Sequence, residues 1–327
     1  MEHFMTKRAA ILRWTGRGNA TDLRSSVQHV LKERGVRARV SSVGGSLVLT
    51  GPEPVGACSI FENMPGIAWT AAGYTVGGPG EVAKVSAALA ANYLRRGYRF
   101  SVKAEASGRG RSSDLAGAVT SAMLEEVKGA RAVNEGAKVR FRAALDGEKG
   151  AVGVEVAVGP GGSPMGDEKV VCLVSGGVHS SVLAWNAVLL GFRVKLVHAP
   201  TGEESTMAAA RLYAELSNRA DPRGLSLTLA EGGGSAAGRL SKVVAKCKEQ
   251  VFGGFTAGRP APALLGSKVL SPLYMMPEES FESQFAALGL KSDDRLTDWG
   301  AEAAGTPGLR TFGGKTADVS GVLDGLA

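Results

Sequence analysis

Apolar residues recur along this chain with two periods, and the points where one period replaces the other mark its elements. Ala9–Trp14 is a short apolar run of strand length. Ala20–Arg34 places Leu23, Val27, Val30 and Leu31 three or four residues apart, the spacing of one helical face, with Asn19 or Thr21 available as N-cap. Val36–Ser41 and Ser46–Thr50 flank Gly44-Gly45, which predicts a hairpin. Pro54–Met64 predicts a helix stopped by Pro65-Gly66, and Ile67–Val76 predicts a strand. The resulting order, β-α-β-β-α-β, is that of a small ferredoxin-like module.

Gly77-Gly78-Pro79-Gly80 reads as a linker. Glu81–Arg96 follows as a helix with Val82, Val85, Leu89 and Leu94 inward. Tyr98–Glu105 alternates as a strand, with Phe100, Val102 and Ala104 on one side and Ser101, Lys103 and Glu105 on the other. Ser113 or Asp114 caps a helix running to Val127, and Val139–Leu145 pairs with Val152–Val158 across the turn at 146–150. Gly159–Gly166 reads as a second linker. From Lys169 the pattern becomes strand-helix repeats. Lys169–Val174, Arg193–His198 and Leu225–Leu229 are strands, and Ser180–Leu190, Glu203–Asn218 and Ala236–Gln250 are helices. Val251–Thr256 and Lys268–Leu273 are further strands and Ser280–Leu288 a short helix, while the Gly- and Asp-rich tail from Lys291 receives no assignment. Such repeats predict a doubly wound α/β domain that binds ligands at the carboxyl ends of its strands.

With 327 residues, 44% of them hydrophobic, the chain can build two or three cores. The formal net charge of +7 favours a polyanionic partner. Cys58, Cys172 and Cys247 form no CxxC pair, which argues against a zinc knuckle or a disulfide framework and for a reducing compartment. Asp293, Asp294 and Asp298 are too loosely spaced to be assigned as metal ligands, and no metal site is assigned. The start lacks the apolar run of a signal peptide, and no segment has the apolar length of a membrane span. The expectation is a soluble cytoplasmic protein.

The most informative stretch is 169–183, KVVCLVSGGVHSSVL. A β-branched strand turns through Ser175-Gly176-Gly177 directly into an apolar helix. That geometry offers backbone N–H groups and a positive helix end to an anion, while the glycines admit a phosphate and the serines add donors. The glycine spacing differs from the Walker and dinucleotide fingerprints. Ser175-Gly176-Gly177-Val178-His179-Ser180 resembles the PP-loop of ATP pyrophosphatases, Ser-Gly-Gly-x-Asp-Ser, with His179 in place of the Asp. The resemblance implies ATP and Mg²⁺ as cofactors, with Ser175, Gly176, Gly177 and Ser180 around phosphate. It leaves His179 as a phosphate contact rather than a metal ligand.

The order of modules resembles the tRNA sulfurtransferase (thiouridine synthetase) family, in which a ferredoxin-like domain precedes a THUMP domain and a PP-loop domain. Phe61-Glu62-Asn63-Met64-Pro65-Gly66-Ile67 looks like the end of the first module, and 79–158 fits the THUMP order of helix, strand, helix and strand pair. The resemblance implies a ferredoxin-like domain at 1–77, a THUMP domain at 78–160, a PP-loop domain at 167–290 and a tail at 291–327. It implies tRNA binding, adenylation of a tRNA uridine and thiolation with an external sulfur-donor protein. It allows a homodimer and involves no membrane. Arg109 and Arg111, in the turn before a helix N-terminus, with Arg95, Arg96 and Lys103 nearby in sequence, are the RNA-binding candidates.

The chain departs from the family beyond His179. No cysteine follows Cys247, whose neighbours Lys246 and Lys248 could lower its pKa on a predicted helix, making it the one candidate catalytic thiol. Cys172 reads as a small hydrophobe in a core strand. Thr256-Ala257-Gly258 and Ser271-Pro272-Leu273 lack the Glu and Arg of the family's later signatures. His198, at a strand end, could contact a base or simply be a polar strand end, and Gly232-Gly233-Gly234-Ser235 reads as a flexible link. Two functions stay open: an ATP-dependent tRNA sulfurtransferase, and a non-catalytic RNA-binding protein with a degenerate PP-loop.

Overall fold

The computed structural model describes residues 7–17, 19–107, 111–256, 261, 263–290 and 309–313. The chain divides into two compact units, 1–164 and 165–327. The first contains, in order, β1 (Arg8–Trp14), α1 (Ala20–Glu33), β2 (Arg39–Val43), β3 (Ser46–Thr50), α2 (Gly56–Phe61), β4 (Ile67–Val76), α3 (Pro79–Tyr93), β5 (Arg99–Ser107), α4 (Ser112–Glu126), β6 (Arg131–Ala132), β7 (Val139–Asp146) and β8 (Lys149–Val158). They build one eight-stranded sheet in the order β2-β3-β1-β4-β8-β7-β5-β6. β1 lies antiparallel between β3 and β4, the wiring of a ferredoxin-like module. β4 also pairs antiparallel with β8, from Trp69↔Val158 to Val76↔Gly150, so the sheet continues without a break into β7 and β5.

Local chemistry explains these elements. The Asn19 side chain accepts from Thr21 N at 2.9 Å and caps α1, whose Leu23, Val27, Val30 and Leu31 are buried. α1 and α2 cover one half of the sheet through Leu12, Leu49, Phe61 and Ile67. α3 and α4 cover the other half through Leu89, Val119, Met123, Phe100 and Phe141. The β2–β3 turn has Gly44 and Gly45 at φ of +51° and +73°, a conformation that suits glycine. A Cβ on Gly44 would stand 3.1 Å from the Glu105 carbonyl oxygen and 3.3 Å from Leu145 N, so the hairpin tip folds onto β5 and β7. The curled sheet thereby buries a second, small-residue core of Ala9, Ile11, Val48, Ala71, Ala144 and Ala151.

Two expectations change. Gly77–Gly80 is not a linker: Gly78 precedes α3 and Pro79 opens it, because proline at the first helical position gives up an N–H that has no intrahelical partner anyway. The helix expected over 54–64 contracts to 56–61, before Pro65.

The second unit contains β9 (Lys169–Leu173), α5 (Val178–Leu189), β10 (Arg193–His198), α6 (Glu203–Arg219), β11 (Leu225–Ala230), α7 (Ala236–Lys246), β12 (Gln250–Gly253), β13 (Val269–Leu270), α8 (Glu278–Ala287) and β14 (Leu309–Gly313). Strand order is β13-β12-β9-β10-β11-β14, parallel except for β14, which lies antiparallel to β11. Thus part of the unassigned tail forms a strand. Alternate residues of the central strands face opposite layers. Val170, Cys172, Leu196 and Leu227 pack with α5, α6 and α8, while Val171, Leu173 and Val197 pack with α7. Burying each such aliphatic side chain stabilises by about 1.5–3 kcal/mol, which makes both faces of these strands apolar. This α/β/α layering, with the curled α+β sheet of the first unit, bears out the expected fold class.

Candidate phosphate loop and the dispersed basic residues

In the second unit β9 is central. The connection through α5 leads to β10 on one side, and the strand on its other side, β12, arrives through α7. The loop leaving β9 therefore sits at the topological switch point, where doubly wound sheets open a crevice. The loop is wound by its own side chains. Ser180 Oγ donates to the Gly177 carbonyl at 3.1 Å, so it must accept from Ser175 N, also at 3.1 Å. In the 3.1 Å contact between the two hydroxyls, Ser175 is then the donor. Ser175 Oγ in turn accepts from Gly177 N at 3.2 Å, and Ser181 Oγ donates to the Gly177 carbonyl at 2.9 Å. These bonds pin the start of α5, whose first-turn N–H groups have no intrahelical acceptors.

Neighbouring backbone presses on this loop from two sides. Gly176 has φ of +91°, and a Cβ there would stand 2.7 Å from Ala208 Cβ of α6. Gly254, just beyond β12, lies so close to α5 that a Cβ would meet Ser180 N and Cα at 2.8 Å. Both positions require glycine by space, and Gly176 also by conformation. A loop that leads from a strand end into a helix N-terminus is an arrangement whose N–H groups and dipole can attract an anion.

His179 stands on the first turn of α5 but is buried, its ring edge-on to Phe281 of α8 with centroids 4.5 Å apart. It contributes to helix packing. The loop itself offers hydroxyls and N–H groups, and no three of His, Cys, Asp and Glu converge as a metal site among the described residues. The loop's own side chains thus supply no carboxylate for a Mg²⁺ ion.

His198, which the sequence placed at a strand end, and Arg239, which it did not single out, complete the surroundings. His198 ends β10 and is 1% exposed, with Nδ1 2.8 Å from the Val174 carbonyl oxygen. A carbonyl only accepts, so Nδ1 carries the proton and fixes the residue just before Ser175. Burial pushes the His198 pKa down to about 4, and the Arg239 charge adds to that, while the Val174 bond opposes it. Arg239, 4% exposed on α7, donates to the carbonyls of Ala230, Gly232, Gly234 and Pro200. It ties the loop after β10 to the Gly-rich loop after β11, so 232–234 is anchored and not a free link. The sequence signal was available: Arg239 falls three residues after Ala236 and one before Leu240, on the apolar stripe of α7.

The cysteines are not activated. The helix expected to carry Cys247 ends at Lys246, and Cys247 is its extended cap. Its thiol donates to the Val243 carbonyl, and burial, with Glu249, raises its pKa against the opposing Lys195 and Lys268. Burial also pushes Cys172 up to about 12 and Cys58 up to about 11. The flanking lysines Lys246 and Lys248 thus do not produce the reactive thiolate that the sequence suggested.

The basic residues grouped by sequence are spread in space. Arg95 and Arg96 lie at the end of α3, where Arg95 donates to the Leu94 carbonyl at 2.8 Å. Arg111 caps α4, at the other end of β5, and nine strand residues span about 30 Å. Lys103 is exposed midway along β5, and Arg109 lies outside the described residues. The structure therefore does not bring Arg95, Arg96 and Arg111 into one cluster.

No family model matches the sequence, and no curated protein matches it significantly. Solved structures do. A crystal structure of a 4-thiouridine synthetase in complex with RNA and with bound ATP superposes with a TM-score of 0.65 at 17% identity, over 86% of this chain and 85% of that one. This chain shares its fold with a thiouridine synthetase. The crystal structure of PH1313 from Pyrococcus horikoshii Ot3 superposes with a TM-score of 0.69 at 16% identity, covering 86% of this chain and all of that one. No helix among the described residues is long and apolar enough to cross a membrane.

Proposed function

We propose that the protein binds ATP at the 175–180 loop and tRNA through its first unit, as an RNA-modifying protein of the thiouridine synthetase type. The observation that carries this reading is the loop. A serine-wound Ser-Gly-Gly turn at the switch point presents a helix N-terminus, and two glycines let α6 and the chain after β12 pack closely against it. The likeness of fold to a synthetase captured with RNA and ATP supports it. Ser175, Gly176, Gly177 and Ser180 would hold the phosphates, with His198 and Arg239 fixing the loops beside them. Bound ATP would supply an adenylyl group, turning a uridine carbonyl oxygen into a leaving group for sulfur brought by an external donor.

A second reading has its own support. Burial raises the pKa of all three thiols, His179 packs against Phe281, and no three of His, Cys, Asp and Glu converge among the described residues. These features favour an RNA-binding protein that uses the nucleotide as a structural or regulatory ligand. One experiment separates the two. The purified protein is incubated with Mg-ATP and total tRNA, and pyrophosphate and AMP are measured against a control without tRNA. Release that depends on tRNA establishes adenylation. ATP and tRNA binding without release establishes the second reading, and absence of ATP binding refutes the loop assignment.

A further inference from the structure

The chain's positive charge is not evenly shared. Residues 1–164 hold 22 Lys and Arg against 14 Asp and Glu, a net of +8, while residues 165–327 hold 16 against 17, a net of −1. The excess belongs to the first unit, so the question is which of its surfaces displays it.

α3 and α4 pack on the face of the sheet that carries Phe100 and Phe141. On the opposite face of the same strands, register places Arg99 beside Arg131, Ser101 beside Arg140 and Lys103 beside Arg142. Neighbouring strands are about 4.8 Å apart and same-face residues about 7 Å apart, so these cations form a grid across β6, β5 and β7. Arg99, Lys103, Arg131 and Arg140 are exposed. The acids on this face are already engaged. Glu155 is buried between Arg140 and Arg142, and Glu105 pairs with Arg13. Arg142 lies over the Trp69 ring at 4.7 Å and forms the floor. Arg99 donates to the backbone carbonyl of Glu135, whose carboxylate is the nearby acid on the β6–β7 loop. Lys103 and Arg131 form no ion pair among the described residues.

We infer that this helix-free face, Arg99, Lys103, Arg131 and Arg140, is a docking surface for the ribose-phosphate backbone of RNA. The inference rests on the tRNA reading above and adds its location. Side chains on rigid strands hold their charges in a fixed array, which suits successive phosphates better than a mobile loop does. It also differs from the sequence expectation, which centred on the turn at 107–112.

The test measures tRNA affinity of the full chain over a series of salt concentrations. Lys103→Glu with Arg131→Glu reverses two exposed charges in the grid, and Lys84→Glu with Lys128→Glu applies the same charge change on exposed positions elsewhere in the unit. Circular dichroism and ATP affinity check that each variant folds. The expected result is a loss of at least about tenfold for the grid pair, with the slope of log K against log salt shallower by about 1.4–1.8, roughly 0.7–0.9 per phosphate contact. The control pair should lose less than about threefold. Equal losses for both pairs would mean that net charge alone matters and would overturn the surface, as would unchanged binding by the grid pair. An unaltered protein that binds no tRNA would refute the tRNA reading as well, and binding of phosphatidylserine vesicles in its place would assign the face to a different partner.

Discussion

The tightest point in the loop is Gly176 against Ala208, and a double-mutant cycle tests whether that contact shapes the cradle. Gly176→Ala places a Cβ 2.7 Å from Ala208 Cβ at φ of +91°. A left-handed conformation costs a non-glycine residue about 1–2 kcal/mol, and forcing a methyl into filled space costs about 1–3 kcal/mol more. The single variant should therefore lose about 2–5 kcal/mol from the second unit. Ala208→Gly removes the opposing methyl and costs about 1 kcal/mol as a glycine inside α6. In the double variant the clash has no partner, so only the conformational and helix terms remain. The two losses should fall short of additivity by about 1–3 kcal/mol. Because the chain has two units, a global unfolding curve mixes them. Hydrogen exchange at the amides of β9 and β10 in graded urea reads the second unit alone. Additivity within about 0.5 kcal/mol would refute the claimed contact. So would a double variant that recovers stability while the Ser175 amide exchanges as fast as in the single variant.

Three further outcomes follow from the same unit. His198 has a folded pKa of about 4, below its ordinary 6.5, so the folded state resists its proton: stability is complete above pH 6.5 and falls as pH drops toward 4, by about 3 kcal/mol in all. His198→Asn keeps a donor for the Val174 carbonyl and should flatten that dependence, and curves parallel to the unaltered protein would refute the assignment. Arg239→Met strips donors from the Ala230, Gly232, Gly234 and Pro200 carbonyls and should cost about 3 kcal/mol or more, with faster exchange in the loops after β10 and β11; a loss below about 1 kcal/mol in urea unfolding contradicts the anchor. Cys247, with its raised pKa, should react with iodoacetamide at pH 7.5 more slowly than free cysteine, and Cys247→Ser should leave tRNA binding within about twofold; fast alkylation would restore it as a candidate nucleophile.

Much of this fold was legible because the informative patterns are local. The apolar stripe of α1 and the alternation of β5 each follow from residues a few positions apart; the stripe is buried, and Phe100, Val102 and Ala104 join one hydrophobic cluster. What escaped the sequence depends on residues far apart in the chain. The pairing of β4 with β8 joins positions more than seventy residues distant, and nothing in either strand names the other. Arg99 and Arg131, and likewise Lys103 and Arg142, become neighbours only through strand register, while Arg95 and Arg111, close in sequence, are parted by an extended strand. Glycine-rich composition misled twice for a related reason. Gly77-Gly78-Pro79 serves a helix start, and 232–234 is held by a buried arginine, so conformational freedom in the unfolded chain did not translate into freedom in the folded one.

His179 shows how far a one-residue departure reaches. The loop's shape depends on Ser175, Ser180 and Ser181, whose hydroxyls bond to its backbone and to one another, and on the two glycines against α6 and α5. Position 179 is not among the hydroxyls and glycines that make these contacts, and its ring packs edge-on to Phe281. The proposed phosphate binding would therefore need no carboxylate at this position, since backbone N–H groups and a helix end attract an anion without it. A reaction that relies on that carboxylate cannot. His179→Asp discriminates between these consequences. It should leave ATP affinity within about threefold if the cradle holds the phosphates by itself, while placing a carboxylate against the apolar Phe281 edge should cost about 1–3 kcal/mol of stability. A tenfold or greater loss of ATP affinity in a folded variant would show that the imidazole takes part in binding, and the cradle would have to be redrawn around it.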